Sequence, residues 1–481
     1  MATTTLRKQI AELDAAISRQ RALLADLQAS RDALDAELNR IASFPILTLP
    51  PEITTQIFSF CARNSLKSFT SHETAPLILL RVCKQWARVA QSTPRLWQVL
   101  FIDLLSWDEG GVLQLMDAWS RFANGTPFYV SIDGDFRSIN IDKFMGAFDL
   151  FTPNITKLSL QLSLEAYPKF NSRGLEMGSL RELSIHGPDR RTHAIELWNG
   201  PASLVAPQLS TIRLDGIPCT GLGLPWSQIT LLYLLNYIAT DILAAARLMP
   251  ALELLRVQRN RNDRTSPSQT GSDPVELPSL KHLSIAGTLV GFFRLPRLDH
   301  LEVDVPYSLD FLPDPSTLTS LRLRILSPNG FRENLILSDL DSLSFLHIDF
   351  GGSDSDSFGQ RFMVLESIRD NPDFLPRLRI LETLFSDESI CTPRDIESTE
   401  LMTLAMDAVR LRNLSSSSSE THAEPPGGNS QKVKRLSVTI KTWEKFSALS
   451  YQIPTKIAEA CQELRATGVE VYLGSSKKPF V

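Results

Sequence analysis

The residues of this chain that could do chemistry are scattered and form no known catalytic pattern. There is no Gly-x-Ser-x-Gly nucleophile turn, no phosphate-binding loop and no pair of histidines at metal-ligand spacing on a predicted helix. The cysteines are odd in number and none forms a Cys-x-x-Cys pair, which favours neither a disulfide framework nor a zinc site. The sequence therefore predicts no catalytic residue, metal site or cofactor. The cysteines are Cys61, Cys83, Cys219, Cys391 and Cys461.

A second kind of chemistry, recognition by fixed charges, is indicated by a repeated pattern. An apolar residue is followed by two others, a second apolar residue, one other and a third apolar residue. Self-similarity of this kind is typical of a solenoid, so each copy is predicted to be one strand of a parallel sheet. Copies begin at Ile155, Leu180, Leu209, Ile229, Leu252, Leu280, Leu298, Leu318 and Leu343, with weaker ones at Leu378 and Val433.

Side chains alternate between the faces of a strand, so the residues between and after the last two apolar positions should line the opposite, concave face. Neighbouring strands there would pair Glu302 with Arg322 and Asp304 with Arg324. Two interpretations remain open: a ladder of charges that satisfy one another, or fixed charges offered to a protein partner. The mixed signs argue against nucleic acid. The candidate substrate-facing residues are Arg213, Asp215, Tyr233, Arg256, Glu302, Asp304, Arg322, Arg324, His347 and Asp349.

The composition sets the frame for these motifs. The chain has 481 residues, 43% hydrophobic and 21% charged, which predicts at least two folded units with a sizeable core. Its net charge of −5 gives no positive field that would draw it to nucleic acid or anionic lipid. The start of the sequence does not resemble a signal peptide, and no apolar run reaches membrane-spanning length. We expect a nuclear or cytoplasmic protein with no membrane partner.

The first 43 residues are predicted to form one amphipathic helix. From Leu6 to Ile41 the apolar residues recur at alternating steps of four and three, with Gln20 and Arg31 at two of the expected apolar positions. The helix could self-associate as a coiled coil or pair with a partner, or it could pack on its own protein. The sequence leaves these alternatives open.

A new module follows, in which three short helices carry much apolar surface. Pro50-Pro51-Glu52 opens a helix to about residue 62, a second helix is predicted from about 75 to 91, and Thr93-Pro94 caps a short third one. Helices this short cannot bury that surface alone, which predicts a partner.

Read together, these elements resemble the F-box. The resemblance rests on Leu49-Pro50, the element Val82-Cys83-Lys84-Gln85-Trp86 and the closing Leu96-Trp97, in the family's order and spacing. The heptad helix ahead of the module and the repeats behind it resemble a large fungal group of F-box proteins with leucine-rich repeats. The resemblance covers about fifty residues, and the order and spacing of its motifs are specific. The alternative is a small helical bundle, unrelated to the F-box, whose sequence contains the motifs by coincidence.

The resemblance implies a fold of class α + α/β: a long N-terminal helix, a trihelical F-box and a divergent leucine-rich repeat solenoid with parallel strands. It also implies a non-catalytic subunit that binds the Skp-type adaptor of a cullin ubiquitin ligase core and recruits an unknown protein substrate. A scaffold without a role in degradation is the first alternative, and an enzyme of unrecognised type the second. The implied adaptor-binding residues are Leu49, Pro50, Ile53, Ile57, Leu80, Val82, Cys83, Trp86, Leu96 and Trp97.

The predicted domain organisation follows from these elements. Residues 1–43 form the N-terminal helix, 44–105 the F-box, 106–150 a connecting helix and strand, and 151–481 the repeat array. Three polar stretches, near 259–273, 351–359 and 415–431, are predicted to be disordered insertions.

Overall fold

A computed structural model gives the architecture of the chain. It divides into two compact units, one of residues 1–98 with 121–126 and one of 99–120 with 127–481. The structure describes residues 2–41, 49–65, 75–163, 165–167, 175–187, 204–217, 219, 222–258, 274–305, 315–325, 337, 340–350, 363–371, 373–385, 396–418, 432–440 and 455–475.

The first unit opens with α1 (Ala2–Ile41), a continuous helix of 40 residues. It contains neither proline nor glycine, so nothing interrupts its backbone hydrogen bonds. The predicted long N-terminal helix is therefore confirmed.

Three further α-helices and a short 3-10 helix follow α1 in the described part of this unit. They are α2 (Pro51–Ser65), α3 (Ala75–Val82), α4 (Lys84–Gln91) and the 3-10 helix Pro94–Trp97. The continuous helix predicted from 75 to 91 is wrong, because Cys83 adopts an extended conformation (φ −159°, ψ 165°) and starts a new helix. Its sulfur takes the capping position that a serine usually fills.

The second unit is built on one fourteen-stranded, wholly parallel sheet. The strands lie in chain order, from β1 at one edge to β18 at the other, apart from four short strands that pair separately as β4 with β6 and β10 with β12. Each predicted repeat copy forms one strand, so the predicted parallel strands are confirmed. The strands are β1 (Val99–Asp103), β2 (Phe128–Gly134), β3 (Ile155–Leu162), β4 (Leu175–Glu176), β5 (Glu182–His186), β6 (Leu204–Val205), β7 (Thr211–Asp215), β8 (Leu231–Leu235), β9 (Leu254–Gln258), β10 (Val275–Glu276), β11 (His282–Ala286), β12 (Phe293–Arg294), β13 (His300–Val305), β14 (Ser320–Ile325), β15 (Phe345–Phe350), β16 (Ile380–Phe385), β17 (Arg435–Ile440) and β18 (Glu470–Ser475).

The core of this unit lies on one face of the sheet. In β11, for example, Leu283 and Ile285 are buried while His282, Ser284 and Ala286 are partly exposed. The same alternation places the second and third apolar residue of every repeat copy in the interior, which fixes the register between strands.

Helices connect or flank the strands. They are α5 (Glu109–Ala123), α6 (Ile141–Phe148), and the helices Ala239–Arg247, Met363–Asp370, Ile396–Ser418 and Thr455–Ala466.

One of these helices differs from the sequence expectations. The helix Ile396–Ser418 was not predicted, and it places Ser415–Ser418, expected in an insertion, at its end. Its buried Arg412 donates to the backbone oxygens of Phe374 and Leu375. The predicted insertions 259–273 and 351–359, and residues 419–431, lie outside the described residues.

Candidate protein-interaction surfaces

The helices after α1 leave large apolar side chains in solvent. On α2, Ile53, Ile57 and Phe60 are 42%, 39% and 69% exposed. Their spacing of four and three residues places them on one face of the helix. On α3, Ile78 and Val82 are 41% and 52% exposed and lie one turn apart. We call these five residues the exposed apolar residues of α2 and α3.

The opposite sides of the same helices build a small interior. Phe58 is buried and meets Trp86 edge-on, with 4.9 Å between ring centroids. Trp97 is fully buried, and its indole nitrogen donates a hydrogen bond to the backbone oxygen of Ala90 (2.9 Å). Its ring also lies 4.7 Å from that of Phe122. The exposed apolar residues of α2 and α3 are therefore not part of this packed core.

Cys83 shapes this interior through its backbone and sulfur. The amide of Trp86 donates to the Cys83 sulfur at 3.5 Å, a weak cap at the start of α4. By turning the chain there, Cys83 sets the direction of α4 relative to α3. The contact that the structure shows for its sulfur is therefore the helix cap.

The ten residues implied to bind the adaptor fall into three classes of burial. Pro50, Ile53, Ile57 and Val82 are exposed, and Leu96 and Trp97 are interior residues. Their role in adaptor binding stays a prediction. The half-buried members are Leu49, Leu80, Cys83 and Trp86.

Phe60 and Ile78 were missing from the predicted set. The continued helical spacing from Ile53 and Ile57 would have found Phe60, and the one-turn spacing to Val82 would have found Ile78.

The polar face of the sheet, defined by the residues that alternate with the buried ones, is the second candidate surface. Across it runs a row of laterally paired residues, each one strand from the next. The predicted neighbours Glu302 and Arg322, and Asp304 and Arg324, are confirmed as register partners. The row contains Arg213, Tyr233, Arg256, Ser284, Glu302, Arg322, His347 and Glu382.

The ion pairs along this row do not always join residues on adjacent strands. Arg256 reaches over Ser284 to Glu302, with 2.9 Å between nitrogen and oxygen. Partial burial alone would raise the pKa of Glu302, but the hydrogen bond and charge of Arg256, together with the charge of Arg322, lower it below 4.5.

Further along the sheet, the charged residues again pair with one another. Arg324 pairs with Asp349 at 3.3 Å, and the ring of His347 lies 3.2 Å from the Glu382 carboxylate. The side chain of Asp304 lies outside the described residues.

Near the first strands of the sheet, the basic side chains also have acidic partners. Glu182 binds both Lys157 (2.9 Å) and Arg213 (2.8 Å). The Arg213 guanidinium also lies over the Tyr233 ring, 4.0 Å from its centroid. His186 is 3.8 Å from Asp215. For these residues the structure supports the ladder of mutually satisfied charges.

A groove of about 520 Å³ opens in the middle of this face, over strands β8 to β15. Among the candidate residues it brings together Tyr233, Arg256, Glu302 and Arg322. Asp215, Arg324, His347 and Asp349 do not line it.

Arg322 differs from Arg256, which also lines the groove. Within the described part of the chain no carboxylate lies within ion-pair distance of it, and its guanidinium lies 5.6 Å from the Phe345 ring centroid. It is exposed, so its hydrogen-bond donors are accessible from the groove.

Two histidines of the groove were not among the residues predicted from the sequence. The rings of His282 and His300 lie 4.3 Å apart on neighbouring strands. Partial burial, followed by the charge of His300, lowers the pKa of His282. The alternation of side chains would have found both, since each stands two residues before a residue of the polar row.

The described residues were compared with the requirements of a metal site, a membrane-spanning helix and a reactive thiol. Within the ranges given above, no group of three or more His, Cys, Asp or Glu residues could hold a metal ion. No described helix combines the length and apolarity that a membrane span requires. Burial raises the pKa of the Cys219 thiol to about 12, which keeps it protonated.

The comparison with protein families bears on the first surface. Residues 46–103 match the F-box-like family model. The match covers α2, α3, α4 and the 3-10 helix, and it ends with β1. We therefore call this segment the F-box-like domain; it supports an F-box protein and a role in protein interaction. A search of curated proteins found no match to the chain.

Proposed function

We propose that the protein is the substrate-recruiting, non-catalytic subunit of a Skp-cullin-F-box ubiquitin ligase, acting in the nucleus or cytoplasm. Its F-box-like domain binds a Skp-type adaptor, and the polar face of its sheet binds a protein target. The single observation that carries the proposal is an F-box-like domain with five large apolar side chains left in solvent. Exposed apolar groups on a folded domain favour a protein partner.

The adaptor half of the proposal rests on the geometry of α2. Ile57 lies in solvent while its neighbour Phe58 is buried, so one face of the helix holds the fold and the other is free to bind. Burying an isoleucine of this exposure in an interface removes much of its apolar surface from water, at about 25 cal/mol per Å².

Binding of a purified Skp-type adaptor to the full chain tests this half. Ile57→Asp and Val82→Asp should each weaken binding at least about thirtyfold, the effect of losing one interface hot spot. Gln91→Asp adds the same charge to an exposed position of α4, outside the exposed apolar residues of α2 and α3, and should bind like the wild type. Equal binding by all four proteins would refute the adaptor surface.

The target half rests on the groove and its arginine. The repeat pattern, the parallel sheet and the strand order support a divergent leucine-rich repeat array, in which the polar face is the proposed binding face. Most charges there are paired, but Arg322 is accessible and sits beside Phe345 in a groove wide enough for side chains. Among the described side chains, no carboxylate lies within ion-pair distance of Arg322, so its guanidinium is available to a partner.

Affinity purification followed by a ubiquitylation assay tests recruitment. Proteins captured by the wild type should be lost with Arg322→Ala, while the adaptor is retained, and a reconstituted ligase should ubiquitylate them. As a control, Arg297→Ala removes an exposed arginine outside the groove.

The same assay separates the first alternative. Partners that depend on Arg322 but are not ubiquitylated would indicate a scaffold without a role in degradation.

A further inference from the structure

The N-terminal helix carries an unusually long apolar stripe in solvent. Along α1, nine leucine and isoleucine side chains are 44% to 71% exposed. None of them is buried by another described part of the chain. They are Leu6, Ile10, Leu13, Ile17, Leu23, Leu24, Leu27, Leu34 and Leu38.

We propose that α1 pairs with α1 of a second copy of this chain in an antiparallel, two-stranded coiled coil. The heptad repeat gives a continuous seam: Ile10 and Ile17 occupy position a, and leucines such as Leu13 and Leu27 occupy position d. A second copy is the occupant that the charges below favour.

The two polar seam positions argue against a parallel pair. Gln20 lies at d and Arg31 at a. In a parallel, in-register coil every residue faces its own copy, so two Arg31 guanidinium groups would meet inside the seam. Two like charges out of water repel strongly.

An antiparallel pair centred on residue 22 removes this conflict. Residue n then lies level with residue 44 − n of the second copy, since opposed helices run in opposite directions. Ile10 faces Leu34, Ile17 faces Leu27, and Arg31 faces Leu13, which is followed by the carboxylate of Asp14. The two Arg31 side chains are then 18 residues apart along the axis, about 27 Å at 1.5 Å per residue.

The flanking charges favour the same orientation. In the antiparallel register, Arg7 comes beside Asp35 of the second copy, and symmetry repeats this attraction at the other end. Arg21 meets its own copy once, at the centre. In the parallel register Asp14, Arg21 and Asp35 would each face an uncharged residue, so no attraction would be gained.

One consequence concerns the F-box-like domains and rests on the proposed function. A 40-residue helix is about 60 Å long. Antiparallel pairing places the two C-terminal ends of α1, and the domains that follow them, at opposite ends of that length. Each domain can then bind its own adaptor, and the ligase becomes bivalent.

Sedimentation equilibrium of the full chain tests the pairing. The wild type should dimerise at micromolar concentration. Ile17→Asp with Leu27→Asp should weaken dimerisation at least about a hundredfold, since charge replaces apolar seam residues that face each other in the antiparallel register. Ala15→Asp with Ala29→Asp is the matched control, because it adds the same charges on the outer face and should leave the dimer intact. A monomeric wild type, or a dimer indifferent to the seam variant, would refute the pairing.

A charge-reversal cycle tests the orientation. Arg7→Asp and Asp35→Arg should each weaken the dimer roughly tenfold by creating two like-charge contacts, and the double variant should recover most of the loss. Arg21→Gln should strengthen it slightly. If the single variants have no effect, the antiparallel register is wrong.

Adaptor binding, measured on the same variants, reports separately on the proposed function. It should be unchanged in all of them, so failure of either idea can be recognised without the other.

Discussion

The F-box-like domain and the parallel sheet use their apolar residues in opposite ways. The domain buries Phe58 and Trp97 but leaves Ile57, Phe60 and Val82 in solvent. In the sheet, the second and third apolar residues of each repeat are buried, and the face left to solvent is polar and largely self-paired.

The difference follows from how many neighbours each region has. A strand inside the sheet has a partner on both sides, so a periodic sequence can bury one face completely and keep the other polar. Three short helices enclose too little volume to do this. The domain is therefore suited to binding by apolar burial, whereas the sheet is suited to recognition by a few accessible polar groups.

The largest effect should come from emptying the domain's interior. Trp97→Ala should destabilise the F-box-like domain by about 3–5 kcal/mol, through the cavity and the loss of the bond to Ala90. Phe60→Ala, at a side chain 69% exposed, should change stability by less than about 0.5 kcal/mol. Hydrogen exchange of the α2 to α4 amides measures both. Similar losses would mean that Phe60 belongs to the core, and the comparison would fail.

A smaller effect separates the two interior tryptophans. Among the described residues, the buried indole nitrogen of Trp86 has no hydrogen-bond partner, whereas that of Trp97 has one. Trp97→Phe should cost about 0.5–1.5 kcal/mol, because the Ala90 oxygen loses the indole hydrogen bond but keeps that from the Thr93 amide. Trp86→Phe should cost less, because it removes an unsatisfied donor. The reverse order, measured by the same exchange experiment, would contradict this assignment.

In the sheet, the paired charges should contribute little and depend on pH. The folded-state pKa of Glu302 is lowered, so its contribution is present above its ordinary value of 4.5 and is lost as the pH falls through the folded pKa. Because the pair with Arg256 is partly exposed, we expect no more than about 1 kcal/mol.

Urea unfolding of the second unit, measured from pH 7 to below pH 4.5, tests this contribution. Glu302→Gln should be slightly less stable than the wild type at pH 7, and the difference should shrink as the pH falls below 4.5. A constant difference between the two proteins would exclude the ion pair as its cause.

The smallest effect concerns His282. Partial burial and His300 lower its pKa below 6.5, while the carboxylates of Asp299 and Glu253 oppose the shift and Lys281 adds to it. The folded state therefore resists protonation, and stability falls as the pH drops below about 6.5. His282→Gln should remove a few tenths of a kcal/mol of this decline between pH 7.5 and 5.5. An unchanged pH profile would contradict the shift.

Much of the sheet was predictable because its pattern is local. Spacings such as Leu283 to Ile285 mark strands and their buried face without knowledge of any contact. The helix Ile396–Ser418 was missed because its apolar residues form no clear stripe, and its Arg412 is an interior residue. Only a tertiary setting with two backbone oxygens in reach makes such a burial stable.

The sequence by itself determined the long first helix, the F-box-like segment and the order of parallel strands, because each follows from the spacing of residues that are close together in the chain. Only the tertiary structure decided that Cys83 breaks a helix, that Arg256 reaches past Ser284 to Glu302, and that the Arg322 guanidinium lies near the Phe345 ring. These depend on which side chains meet across strands and turns. Distances between residues far apart in the chain arise when the core packs, and no local spacing encodes them.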